Sequence, residues 1–224
     1  MRKVNLSSDF VKFFALIAMT ADHVDKLYVH ATLLDHTIGR MAFPIFSFLI
    51  ISNFYTYHPF KKYLWRLLGF GILTQAAFHI FELPLPTLNI LFTFLWTIIF
   101  IKASEWICSK TKSLTWQVCW LGLLFLFLQP LIFMSDYSLL GFLFLIALYA
   151  ERRNPSKLNC LAVFLTGIVM NRYSVMAVVM TGLTLFGLLF LFNISGGKRL
   201  FKWWFFYLYY PLHLVIIQLL KGAV

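Results

Sequence analysis

Long apolar runs alternate along the chain with short polar breaks. Uninterrupted apolar stretches of about 17 to 22 residues suit helices that cross a bilayer. The pattern predicts nine, at 9–29, 39–56, 63–81, 88–107, 115–134, 137–150, 158–170, 175–193 and 203–221. The sixth and seventh are short. At about 1.5 Å per residue they reach only some 20 Å, so either their ends lie elsewhere or they are tilted, half-buried elements beside a cavity. The expected fold is therefore all-α: a polytopic membrane helical bundle, one integral-membrane domain over 1–224, with a buried polar cavity. No internal repeat and no separate soluble domain stand out.

Composition agrees with that pattern. The chain is 61% hydrophobic and 12% charged, proportions that no water-soluble domain of 224 residues could display on its surface. Lys and Arg outnumber Asp and Glu by 19 to 8. In a soluble protein that excess would point to nucleic acid, but here the cations fall in the breaks between apolar runs, where the positive-inside rule accounts for them. Arg2 and Lys3, Lys61 and Lys62, Lys110 and Lys112, Arg152, Arg153 and Lys157, and Lys198, Arg199 and Lys202 occupy alternate breaks. The other breaks hold Lys26, Arg40, Arg172 and Lys221 with Asp25, Asp35, Glu82 and Asp136. The asymmetry predicts a cytoplasmic N-terminus and, after nine crossings, an external C-terminus. Cys108, Cys119 and Cys160 then fall near cytoplasmic ends, where thiols stay reduced, and no disulfide is expected. The opening Met-Arg-Lys-Val resembles the start of a signal peptide, yet Asp9, Lys12, Asp22 and His23 interrupt the run and Met19-Thr20-Ala21 is a poor cleavage site, so it reads as the first helix.

A few polar residues then draw attention because they sit where burial is costly. Asp22 and His23 lie near the end of the first run, and an ionisable pair inside a bilayer tends to face a bundle interior or a watery cavity; the alternative is a place at headgroup level. Arg40 begins the second helix at the same level. Gln75 and His79 fall in the outer half of the third helix, Asn89 opens the fourth, Asp136 and Tyr137 precede the sixth, and Tyr210 and His213 lie in the last. Five helices thus send polar groups to one level. Pro44 and Pro211 free the carbonyls of Arg40 and Tyr207, which must find protein or water, so both kinks suit helices that line a cavity; Pro130 reads as an ordinary bend. Each residue has a structural alternative: an Asp22–Arg40 ion pair, interhelical hydrogen bonds for His23, His213 and Gln75, a helix cap for Asn89.

Short motifs in order along most of the chain resemble the TraX family of conjugative plasmids. They are Asp-His at 22–23, Gly-Arg-Met-Ala-Phe-Pro-Ile-Phe at 39–46, Arg-Leu at 66–67 followed by Gln75, Asn-Ile-Leu-Phe at 89–92, Asp-Tyr-Ser-Leu-Leu-Gly at 136–141 and Phe-Tyr-Leu-Tyr-Tyr-Pro-Leu-His-Leu at 206–214. The block at 39–46 is the most specific. The stretch at 136–141 departs from the Ser-Tyr-Gly form associated with that family. The resemblance implies an inner-membrane N-acetyltransferase that uses cytoplasmic acetyl-CoA to acetylate the N-terminal amine of the pilin subunit after leader removal. It implies His23 as general base supported by Asp22, with His213 as the competing base or an oxyanion donor and Arg40 as Asp22's partner. Asn89, Gln75, Asp136, Tyr137 and Tyr210 become candidates for contact with the acceptor, and Lys61, Lys62, Arg66, Arg152 and Arg153 for the phosphates of CoA. No metal is implied. Two other readings remain open on the residues alone: a membrane acyltransferase with a polysaccharide or lipid acceptor, and a small transporter or flippase.

Overall fold

The computed structural model describes residues 3–27, 37–56, 59–81, 83, 88–195 and 201–222. Of the loop charges used above, Arg2, Asp35, Glu82, Lys198 and Arg199 lie outside the described residues. Nine helices occupy the described chain: α1 (Ser8–Leu27), α2 (Ala42–Thr56), α3 (Phe60–Ile80), α4 (Ile90–Lys110), α5 (Leu114–Met134), α6 (Ser138–Arg153), α7 (Lys157–Met170), α8 (Val175–Phe186) and α9 (Trp203–Gly222). The protein is an all-α membrane bundle. Among the described residues, four spans are long and apolar enough to cross a bilayer, at 37–55, 90–110, 114–134 and 203–221. Apolar helices at 157–170 and 175–191 are shorter.

The element ends follow from local chemistry. Asn89 caps α4 by accepting from the Leu91 amide at 3.1 Å, while Ser156 and Ser174 do the same for α7 and α8. The second predicted helix is interrupted: residues 37–39 are helical, Arg40 and Met41 form a turn, and α2 starts afresh at Ala42, just ahead of Pro44. Proline cannot donate to the carbonyl four residues back, so the chain turns where that bond would have been. The eighth run departs more. It loosens into a π-helical turn at Gly187–Leu191 and then extends as β2 (Phe192–Ser195). β2 pairs in parallel with β1 (Val4–Ser7), an element that helical periodicity does not announce.

Packing sorts the helices. α1, α2, α4 and α6 contribute most of the fully buried side chains, among them Ala15, Ile51, Ile98, Phe144 and Leu148. A small residue lets the peripheral pair α7 and α8 meet closely: a methyl added at Gly167 of α7 would lie 3.0 Å from Leu185 of α8. α5 lies on the outside, its exposed face built of Trp116, Trp120, Leu123, Phe127 and Phe133. In a bilayer that face meets lipid at no desolvation cost.

Candidate active site

One cavity of about 520 Å³ runs inside the bundle, within the usual range for a small-molecule site. α1 supplies its length. Asp9 and Lys12 line one end and Asp22 and His23 the other, some 20 Å apart by helical rise. The two ends differ in charge. Lys12, Arg66 and Arg152 line the first with Asp9, whereas Asp22, Asp136, Tyr137 and Tyr210 line the second.

At the first end, Asp9 is buried, accepts from Lys12 at 3.0 Å and reaches the Phe201 amide at 3.4 Å, which ties the start of α1 to the chain entering α9. The cations are held against aromatic faces. Lys12 lies 4.9 Å from the Phe206 ring, Arg66 4.0 Å from Trp203 and Arg152 5.0 Å from Phe48. Such contacts fix the stem of each cation along the cavity wall.

The second end is built by convergence of α1, the 37–41 turn, the α5–α6 connection and α9. Gly39 brings the turn against α1 so closely that a Cβ there would fall 2.3 Å from Cβ of Asp22. This places the Arg40 guanidinium 3.8 Å from the buried Asp22 carboxylate, and Arg40 also meets the Tyr137 hydroxyl. Tyr137 and Ser138 hold positive φ angles of 59° and 46°, a strained pair for residues with side chains. The surroundings hold them there. The Tyr137 ring stacks on Phe43 with centroids 4.0 Å apart, and Gly141 leaves room where a Cβ would approach Cβ of Tyr137 to 2.6 Å. The Asp136 carbonyl accepts from the Thr93 hydroxyl, and its amide donates to the Leu88 carbonyl at 2.8 Å. The Tyr210 hydroxyl meets the Ile90 amide at the N-terminus of α4.

His23 and His213, 190 positions apart, form a direct hydrogen bond, Nδ1 to Nε2 at 2.8 Å. His213 Nδ1 lies 2.8 Å from the Tyr209 carbonyl, which can only accept, so Nδ1 carries the hydrogen and Nε2 is bare. His23 Nδ1–H must then donate to it. In the neutral pair this hydrogen count leaves the His23 lone pair on Nε2. His213 is further held by stacking on Tyr209, 5.1 Å between centroids, whose hydroxyl meets that of Thr20 at 2.8 Å. Only His23 of the two lines the cavity.

Several residues singled out from the sequence lie elsewhere. Gln75 and Asn89 are off the cavity wall and satisfy each other: the Gln75 amide oxygen accepts from the Asn89 backbone and side chain, both at 3.0 Å, and Asn89 Nδ2 also donates to the Gly71 carbonyl at 2.8 Å. His79 is exposed on α3. Lys61 and Lys62 are exposed and Arg153 is bound to the Tyr149 hydroxyl at 2.7 Å, all outside the lining. Sequence reading passed over Lys12, Ser52 and Asn53, which do line it. Lys12 stands one turn after Asp9, and Ser52-Asn53 break an apolar helix; both signals were available.

Comparison with known proteins gives a consistent picture. No solved structure matches the chain. Protein TraX of Escherichia coli is 29% identical over 220 residues, covering 95% of this chain and 86% of that protein. A probable fimbrial assembly protein, FimC of Dichelobacter nodosus serogroup H1, is 30% identical over 81 residues, 34% of this chain and 33% of its own. An uncharacterised Rickettsia prowazekii protein, RP591, is 37% identical over 84 residues, covering 37% of this chain and 32% of its own. The TraX protein family model matches residues 7–221, the span that contains every helix from α1 to nearly the end of α9, and the chain belongs to the TraX family.

Proposed function

We propose that this protein is a membrane N-acetyltransferase that moves an acetyl group from cytoplasmic acetyl-CoA to the N-terminal amine of a conjugative pilin subunit. The observation that carries the reading is the cavity's polarity: three cations and one carboxylate at one end, two carboxylates and a histidine at the other, about 20 Å apart along α1. A donor bearing several phosphates suits the first end. An amine suits the second, since acids favour an incoming ammonium; its first proton leaves to water to give the neutral amine, and a neutral imidazole can take the second as the amine attacks. That acidic end favours an amine over a carbohydrate hydroxyl. The fimbrial-assembly name of one relative fits a pilin-like acceptor.

In this scheme the phosphates of CoA sit at Lys12, Arg66 and Arg152, in the cytoplasmic half, and the pantetheine arm carries the thioester toward His23. The acceptor amine attacks the thioester carbonyl, and its proton passes to His23 Nε2. His213, through its bare Nε2, holds His23 in the orientation and tautomer that this transfer needs and supports the imidazolium that forms. The Tyr210 hydroxyl, in the lining at the same end, donates to the oxyanion, while Arg40, outside the lining, holds Asp22 and Tyr137 in place. Collapse breaks the carbon–sulfur bond, the CoA thiolate takes the proton back from His23, and acetylated amine and CoA leave. The cationic mouth fits a cytoplasmic N-terminus in an inner-membrane protein.

Two measurements test this. Membranes containing the protein should transfer radiolabel from acetyl-CoA to a peptide with the mature pilin N-terminus. Pilin from cells lacking the protein should be lighter by one acetyl group in intact mass; an unchanged mass excludes pilin as the acceptor.

A further inference from the structure

A second concavity, of about 340 Å³, opens on the outside of the bundle between α3 and α9, lined by Trp65, Arg66, Gly69, Phe70, Leu73 and Trp203. Arg66 and Trp203 line the internal cavity as well. The two spaces are therefore separated by one shared wall, the Arg66 guanidinium stacked on the Trp203 indole with Phe70 edge-on to it at 6.2 Å.

The outer side of that wall has a directional chemistry. Lys62, Arg66, Gly69 and Leu73 are spaced by four, three and four residues, so they form one stripe along α3. The stripe begins with cations, to which Lys61 adds another, and ends apolar. From Pro59 to Phe81 the chain holds no carboxylate. Gly69 leaves a trough: a Cβ placed there would meet nothing within 4 Å. Trp65 and Trp203, both largely exposed, flank it at the level where indoles prefer the headgroup boundary. A phosphate followed by a hydrocarbon chain matches this order of groups, and a soluble phosphate would match only its first turn.

We propose that the groove holds an anionic phospholipid of the leaflet at the basic end, its phosphate at Arg66 and Lys62 and one acyl chain lying over Gly69 toward Leu73. The bound lipid then braces Arg66 from outside the wall that the cavity uses from inside. The site shares Arg66 with the internal cavity but requires neither CoA nor an acceptor, so its test stands whether or not the acetyl-transfer reading does.

Native mass spectrometry on the full chain, released from nanodiscs of dioleoyl phosphatidylglycerol or dioleoyl phosphatidylcholine, tests it. Wild-type protein should retain one phosphatidylglycerol and hold phosphatidylcholine at least tenfold less well. Gly69→Leu fills the trough and leaves every cation in place, and it should lose the retained lipid while melting as the wild type does. Lys62→Gln should weaken retention severalfold, and excess glycerol 3-phosphate should not displace the lipid. Equal retention of the two lipids, undiminished retention in Gly69→Leu, displacement by glycerol 3-phosphate, or a second copy of the chain on this face in place of lipid would each overturn the proposal.

Discussion

Two polar clusters lie buried in this bundle, and they are built differently. Gln75 and Asn89 close on each other: the Gln75 oxygen accepts twice, and the Asn89 side chain donates to Gln75 and the Gly71 carbonyl while its oxygen caps α4. Little of their hydrogen-bonding capacity is left for a ligand. The His23–His213 pair is satisfied on the His213 side by the Tyr209 carbonyl, and on the other side His23 lines a cavity that also holds Asp22 and Asp136. A polar side chain in an apolar helix can hold helices together or serve a substrate, and whether it lines the cavity separates the two clusters here.

The sharpest way to break this contrast is His23→Ala. Loss of the general base should slow acetyl transfer by roughly 10²- to 10⁴-fold. The melting temperature should shift little, because His213 keeps its Tyr209 and stacking contacts and water from the widened cavity can replace the donor that its Nε2 loses. Asn89→Ala should behave oppositely. It removes the α4 cap, one of the two donors to the Gln75 oxygen and the side-chain donor to the Gly71 carbonyl, for a loss of about 2–3 kcal/mol. Thermal melts in detergent measure that loss, while the acetyl-transfer rate of the folded fraction should stay close to wild type. A His23→Ala protein with wild-type activity, or an Asn89→Ala protein that melts normally yet fails in turnover, would reverse the assignment of the two clusters.

Much of the architecture was legible because apolar run length is a strong signal. The nine predicted segments meet nine helices, most ends agreeing within a few residues. The β1–β2 pairing was not legible: it joins residues 188 positions apart, and local periodicity carries no long-range pairing. The candidate site divides the same way. Asp22 and Arg40 could be expected together from helix rise, which fixes height along the bundle. Rise says nothing of azimuth, so His23 and His213 were foreseen as competing bases rather than bonded partners, and Gln75 and Asn89 could not be told from cavity-lining groups. Lys61 and Lys62 have the charge expected for phosphate binding but lie outside the cavity lining, whereas Lys12, read only as an interruption of the first apolar run, lines its mouth.

A gentler probe of the cavity end is Gly39→Ala. The added methyl would sit 2.3 Å from Cβ of Asp22, so the turn and α1 must separate. Overpacking of this kind costs about 1–3 kcal/mol. Because the displaced group is Asp22, the acetyl-transfer rate should fall together with the melting temperature, unlike the separated effects at His23 and Asn89. A methyl accommodated with both readouts unchanged would mean that the Asp22–Arg40 spacing is not what the cavity end depends on.

The smallest expected effect has the opposite sign. Ser138 holds φ at 46°, where a Cβ is crowded and glycine is not. The constraint comes from outside the residue: Tyr137 is pinned by its stack on Phe43 and its contact with Arg40, and the Ser135 carbonyl takes the Ser138 amide at 2.9 Å. The backbone therefore cannot relax toward negative φ without releasing Tyr137 from the cavity wall. Ser138→Gly relieves the crowding but gives the unfolded chain more freedom, so the net gain should be modest, about 0.5–1 kcal/mol. It should appear as a melting temperature raised by a few degrees at most, with the transfer rate unchanged because Tyr137 keeps its place. A lowered melting temperature would show that the left-handed turn is not strained and that the serine hydroxyl contributes more than the glycine relieves.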